Sequence, residues 1–391
     1  MEKRKVFIAV HQLNLGGVQK ALISALNAIN YDENDVTLYI RKNRVDLLPD
    51  INKNVSRIII NQDTTRYDKR PYTLYLYALE KFLGFFNRDS SSVERKSREY
   101  INKKQTEFEV KHYFRNHEKY DVAIAYIQSY TAQFVNQYIE ADRKIMFYHG
   151  STDEHHDINA SVMNNFDQII CVSQGALEAV KGFYPQFSDK MSCIENHVDA
   201  EEIIAKANEY YPDYPDDKMI LCSCGRISAV KGFDLAVESA KILKDKGMDF
   251  VWYFVGDGPD RGKIEAIMAK YHLEDRIKIT GLLNNPYPYV KNCDIYVQPS
   301  YEDAHPLSVI EAQILCCPVV STATVGGKSI VKDGINGLLT EINPSALAEM
   351  IIKLANDIIM RESFVEDLKK KDNKEDYHRF CRQWSELIIW C

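Results

Sequence analysis

Apolar residues along this chain fall into two alternating periods. Short runs rich in β-branched and aromatic residues read as strands: KVFIAV (5–10), DVTLYI (35–40), SRIII (56–60), DVAIAYI (121–127), KIMFYH (144–149) and DQIICVS (167–173). Helical spacing takes over in VQKALISALNAI (18–29). This rhythm predicts a parallel sheet covered by helices. It pauses at EYYPDYPDDK (209–218), a polar stretch with two prolines that suits a linker. It restarts with MILCSC (219–224) and a helix over 232–247 that ends at Gly247. FVWYFVG (250–256), IKITG (277–281), CDIYVQP (293–299) and PVVST (318–322) are further strands.

The pattern predicts an α/β chain of two doubly wound, Rossmann-like domains facing each other across a cleft. The expected divisions are 1–205, 206–375 and a C-terminal helix over 376–391 that packs back toward the first domain. In such sheets ligands bind outside the carboxyl ends of the strands, so the loops that follow the strands are where chemistry is expected.

One segment breaks the rhythm. Residues 66–119 hold thirteen Lys and Arg against eight Asp and Glu, with aromatics and leucines interleaved. They read either as solvated helices covering the first sheet or as a basic amphipathic surface for anionic lipid.

Composition narrows the picture further. A chain of 391 residues, 45% hydrophobic, is too long for one compact core. The net charge of −7 argues against general nucleic-acid binding, which wants a basic face. Nine scattered cysteines form no CxxC pair, and free thiols in a reducing compartment explain them better than disulfides or zinc. MEKRKVFIAVHQ reads as a first strand, with too short an apolar run for a signal peptide. No apolar stretch approaches a membrane span. The expected location is the cytoplasm, with peripheral contact to the inner face of the membrane as an added expectation.

Four loops suit an anion. In LNLGGVQKAL (13–22), Gly16 and Gly17 let the backbone approach a ligand, and the helix after them offers unpaired N–H groups; the same residues also suit a plain strand-to-helix turn. In CGRISAVKGF (224–233), Arg226 and Lys231 flank a turn at the carboxyl end of a buried strand, where two cations point to phosphate. FVGDGPDRGK (254–263) is a sharp turn or a direct ligand contact. In SYEDAHPLSVIEAQ (300–313), Pro306 suits the first helical position, and Leu307 and Ser308 would present free N–H groups at the positive helix end. Glu311 lies more than a turn inside among apolar residues, where a carboxylate wants donor partners; sugar hydroxyls would serve.

Taken together, GRISAVKGF, VGDGP, PSYEDAHPLSVIEA, PVVSTATVGG and DGINGLL occur in the order and at the spacing of a known family. The chain resembles the retaining GT-B glycosyltransferases of the family 4 type (glycosyl transferases group 1). LNLGGVQKAL, YHGS, DQIICVSQGALEAV and IENHVD extend the likeness to the first half, and only about 60–120 falls outside it. The resemblance implies a nucleotide-diphosphate sugar donor, UDP or GDP above all. It implies that Glu311 holds the ribose, that Arg226 and Lys231 neutralise the diphosphate, and that Gly16 and Gly17 add backbone contacts from the first domain. Backbone groups around Pro306, Leu307 and Ser308 would cradle phosphate and sugar, and Gly281 and Leu282 would border the base. His149 falls where the family places a polar group near the transferred sugar, or is simply a strand-end histidine.

The family usually carries two glutamates with seven residues between them. Here the first is Asp303, and the usual Glu-Gly-Phe reads Asp303-Ala304-His305. Glu302 shares the task of Asp303 or is a solvated neighbour. The resemblance implies transfer with retention to a saccharide or polyprenyl-linked saccharide in bacterial surface-polysaccharide synthesis. No cofactor or metal is expected, because no Asp-x-Asp pair lies in a credible place; the acids at 153–157 read as a solvated loop. A glycosyltransferase-like binding subunit without activity is the alternative, since Asp303 departs from the pattern. A sugar-nucleotide epimerase lacks acid–base residues that can be placed, and a nicotinamide dehydrogenase lacks GxGxxG after the first strand.

Overall fold

The structure is a computed structural model that describes residues 2–42, 44–60, 118–152 and 156–389. Nearly all of the basic segment, 66–117, and the acids at 153–155 lie outside the described residues, as do the side chains of 156–158.

The first sheet is built from β1 (Arg4–Val10), β2 (Asn34–Ile40), β3 (Arg57–Ile60), β4 (Lys119–Ala125), β5 (Glu140–Tyr148), β6 (Gln168–Cys171) and β7 (Met191–Cys193). Its order is β3-β2-β1-β4-β5-β6-β7. The second is built from β8 (Met219–Cys224), β9 (Phe250–Val255), β10 (Ile277–Gly281), β11 (Ile295–Gln298), β12 (Val319–Thr322) and β13 (Leu338–Thr340). Its order is β10-β9-β8-β11-β12-β13. β1 pairs parallel with β2 and β4, and β8 parallel with β9 and β11. Each sheet therefore reverses its strand order once, between β1 and β4 and between β8 and β11. That is the arrangement in which a doubly wound fold opens a crevice.

The second sheet is buried on both faces, and its side chains alternate accordingly. Leu221, Phe250, Trp252, Phe254, Ile295 and Val297 point to one core, with α6 (Phe233–Asp245), α7 (Arg261–Lys270) and α11 (Pro344–Asn356) packed over it. Cys222, Val251, Val255, Tyr296 and Val319 point to the other, under α8 (Tyr287–Lys291) and α9 (Leu307–Ile314). The β8 cysteines 222 and 224 do share one face, as their spacing predicts.

Contacts within the chain form two units: Met1–Leu15, Ile29–Tyr148 and His155–Ile169 in one, and Gly16–Ala28, His149–Glu154 and Ile170–Cys391 in the other. The turn Gly16–Gly17, expected on the first domain, thus groups with the second sheet. The reason is packing. Ala21 of α1 (Gly17–Ala28) is buried with Val198, with Ala200 and Ile203 of α5 (Ala200–Lys206), and with Tyr287, Leu307 and Ile314. The last helix, α13 (Asn373–Ile389), belongs to this unit too; it buries Phe380 and Trp384, and Phe380 stacks on His197 at 5.2 Å.

Candidate active site

β8 and β11 are neighbours at the reversal of the second sheet, with Leu221 opposite Ile295. Their carboxyl ends therefore release two loops side by side. The loop after β8 carries Arg226 and ends in a single 3-10 turn, Ala229–Lys231. The loop after β11 carries Glu302, Asp303 and His305. Backbone bonds fasten them together: Tyr301 N–H donates to Val230 O at 2.9 Å, and Gly232 approaches Pro299 so closely that a Cβ there would lie 1.9 Å from its carbonyl oxygen. Gly232 has φ +66°, which glycine adopts without strain.

This proximity brings Lys231 to Asp303, Nζ to Oδ2 at 2.5 Å, and the Asp303 side chain is 10% exposed. Arg226 is exposed and has no carboxylate partner among the described residues. Its loop rests on the turn after β9. There Gly256 and Gly258 come so near Gly225 and Ile227 that a Cβ on either would sit 1.9 and 2.1 Å from their carbonyl oxygens. The glycines of VGDGP therefore serve the close approach of two backbones, which places the Arg226 loop.

The β11 loop is anchored on its other side as well. Ser173, which caps α4 (Gln174–Phe183) by accepting from Ala176 N–H, donates its hydroxyl to Ala304 O at 2.7 Å. Gly326 N–H donates to Asp303 O at 2.8 Å. His305 is buried, and its Nδ1 has no hydrogen-bond partner among the described residues. Burial, with the Lys371 charge adding to it, lowers its pKa to about 4, so the imidazole is neutral at pH 7. Glu302 is half-buried and accepts from Thr152 Oγ1 at 2.8 Å.

α9 begins at Leu307 with Pro306 one residue earlier, at the cap. The sequence pattern places Pro306 inside the helix; its extended ψ of 96° puts it just outside. The hydroxyl of Ser308 is committed to Gln298 Oε1 at 3.0 Å, so what it offers outward is its N–H. Buried Gln298 also donates to Ser300 Oγ and accepts from Tyr296 Oη, which fixes the floor beneath the helix start.

Glu311, 3% exposed, already has protein partners. Its Oε1 accepts from Lys20 Nζ at 2.8 Å and from Tyr287 Oη at 3.2 Å. Burial works against the Lys20 charge, but the carboxylate outweighs it and holds the pKa above the ordinary value. Gly17 lies against Leu307, which sets the GG turn beside the start of α9. Neither Lys20 nor Tyr287 was singled out from sequence. The signal was present for Lys20: a cation in the first turn of α1 opposes the helix dipole and calls for a partner elsewhere.

Gly281 ends β10 at φ +75°, and Leu282 is 63% exposed. No hydrogen bond joins either to Arg226, Lys231, Asp303 or Glu311, although their loop leads directly into Tyr287. His149 follows β5 and is half-buried. Among the described residues no cluster of three His, Cys, Asp or Glu could hold a metal, and no helix is long and apolar enough to cross a membrane.

Residues 211–371, which contain all of these loops except the α1 turn and the segment at 149–152, match the family model described as glycosyl transferases group 1. The chain is 27% identical over 155 residues to the alpha-D-kanosaminyltransferase of Streptomyces kanamyceticus, covering 39% of this chain and 40% of that protein. It is 26% identical over 225 residues to a Campylobacter jejuni N-acetylgalactosaminyltransferase acting on a diphospho-undecaprenol saccharide, covering 57% and 60%. The chain thus spans about half the length of the curated relatives it matches. The crystal structure of Anabaena Alr3699/HepE in complex with UDP-glucose superposes with a TM-score of 0.70 at 14% identity, over 98% of this chain and 99% of that one.

Proposed function

We propose, from the GT-B fold of two parallel-sheet Rossmann-like domains and the match of residues 211–371 to the group 1 glycosyltransferase family, a retaining glycosyltransferase that moves a sugar from a nucleoside-diphosphate donor to a saccharide or polyprenyl-linked saccharide. The observation that carries this reading is the convergence of Arg226, Lys231, Asp303 and α9 at the strand-order reversal of the second sheet.

In this reading Arg226, Lys231 and the N–H groups of Leu307 and Ser308 hold the diphosphate, joined by the backbone at Gly16 and Gly17. Glu311 holds the ribose, Gly281 and Leu282 border the base, and Asp303 and His149 attend the transferred sugar. When the anomeric bond to the β-phosphate ionises, the leaving diphosphate gains charge where these cations already stand. Preorganised donors of that kind are worth about 2.7–4 kcal/mol of barrier each. The departing phosphate oxygen takes the acceptor proton, so no protein base is needed. UDP and GDP are the preferred donor bases. Surface-polysaccharide synthesis is the proposed setting, and a polyprenyl-linked acceptor is in keeping with the Campylobacter relative. The acceptor is assigned to the first domain. The basic segment 66–119 is assigned to anionic membrane.

A panel of UDP- and GDP-sugars, with transfer followed by NMR, tests this. Wild type should turn over at least one donor and give an anomer of unchanged configuration; Glu311→Ala should not. Activity should survive EDTA. A wild type that turns over no nucleotide sugar favours a binding subunit instead, the reading that the shorter Asp303 leaves open.

A further inference from the structure

Glu311 is held from one side only. Both donors that reach it, Lys20 Nζ and Tyr287 Oη, bond to Oε1. Oε2 accepts no hydrogen bond from the described residues. Lys20 also donates to Tyr287 Oη at 3.2 Å and lies 5.0 Å from the centre of that ring, so the three groups form a closed triangle. A carboxylate has about four acceptor sites on its two oxygens. Here the protein fills one oxygen and leaves the other.

We propose that Lys20 is the positioning residue of the ribose anchor, turning the Glu311 carboxylate so that Oε2 receives the ribose hydroxyls. The proposal rests on the reading that Glu311 binds ribose. A buried carboxylate without fixed donors turns to find them, and Lys20 prevents this. It does so from a rigid base, because Ala21, Leu22, Ala25 and Leu26 of α1 are at most 1% exposed. The same helix begins at the Gly16–Gly17 turn, and Gly17 packs on Leu307 four residues before Glu311. One element thereby fixes both the proposed phosphate turn and the ribose anchor. Lys20 has no place in the bond-breaking step: it acts through Glu311.

Calorimetric titration with UDP, GDP and ADP selects the tightest nucleotide, which is then titrated into Lys20→Met, Lys20→Arg, Glu311→Gln and the Lys20→Met/Glu311→Gln double variant. Lys20→Met should weaken binding roughly tenfold, as removal of one charge-assisted bond does, and Lys20→Arg should recover most of it. In turnover the donor KM should rise while kcat stays near wild type. The double variant should bind no more weakly than Glu311→Gln alone, because the lysine acts only through the glutamate. The double variant itself carries neither charge of the pair, so it can be measured even if Lys20→Met folds poorly. Weakened binding by Glu311→Gln with none by Lys20→Met would overturn the positioning role alone. So would an equal further loss in the double variant. If wild type binds no nucleotide, or Glu311→Gln binds as wild type does, the ribose reading itself fails and the proposal with it.

Discussion

Lys231 and Asp303 form an ion pair, Nζ to Oδ2 at 2.5 Å, across two loops that leave neighbouring strands of one parallel sheet. Seventy-two residues separate them in sequence. The strand-order reversal between β8 and β11 brings them together, and Gly232 makes the approach possible. The cation proposed for phosphate and the first acid of the sequence pattern are therefore partners within the protein.

Asp303→Asn tests what that pair does. The amide keeps the shape and loses the charge, so Lys231 is released to the diphosphate while the sugar loses its carboxylate. Nucleotide affinity should stay within about threefold of wild type, and kcat should fall roughly tenfold or more, at least about 1.4 kcal/mol of barrier. Parallel titration and steady-state kinetics check this. An affinity loss as large as the loss in kcat would place Asp303 in binding instead.

His305 predicts a pH dependence of stability. Its folded pKa of about 4 lies below the ordinary 6.5, so the unfolded chain binds the proton more readily. The contribution is fully present above about pH 6.5 and is lost as pH falls toward about 4. Each tenfold weakening of proton binding on folding corresponds to about 1.4 kcal/mol. His305→Phe, which removes the titrating imidazole and keeps a ring, should lose less stability than wild type between pH 6.5 and 4.5 in urea melts. Matching pH profiles for the two proteins would contradict the buried neutral imidazole.

The close approach at Gly232 predicts a contrast between two neighbouring glycines. Alanine at 232 meets Pro299 and must hold φ +66°, a conformation costing about 1–2 kcal/mol before any clash. The melting temperature should drop by roughly 5–10 °C. Alanine at Gly225, where an added Cβ meets nothing within 4 Å, should change it by no more than about 2 °C. Thermal melts of the two variants decide it; equal shifts would argue against the packed junction.

Much of this architecture was legible in the sequence, because its signals are local. Apolar runs such as FVWYFV and MILCSC, buried on both faces, coincide with β9 and β8 to within a residue. The two edge strands β7 and β13 went unread: each has three residues, too few to show a period. In the candidate site, residues next to glycines and strand ends were readable one loop at a time. The pairings Lys20–Glu311, Tyr287–Glu311 and Thr152–Glu302 were not, because each joins separate elements that only the fold brings together. Glu311 was read as wanting donors, and it does, but the protein supplies two of them itself. The VGDGP glycines looked like ligand contacts or a plain turn; they form the seat of the Arg226 loop.

Diphosphate binding at Arg226 and Lys231 is the claim on which the proposed activity depends. The most direct test is calorimetry of the preferred nucleoside diphosphate and of the corresponding nucleoside, on wild type, Arg226→Met and Lys231→Met. Wild type should bind the diphosphate at least about a hundredfold more tightly than the nucleoside, in line with roughly 1.5–3 kcal/mol for each charged contact. Each substitution should remove roughly tenfold or more of that difference and leave nucleoside binding unchanged. A wild type that binds diphosphate and nucleoside alike, or variants that bind diphosphate as wild type does, would contradict it.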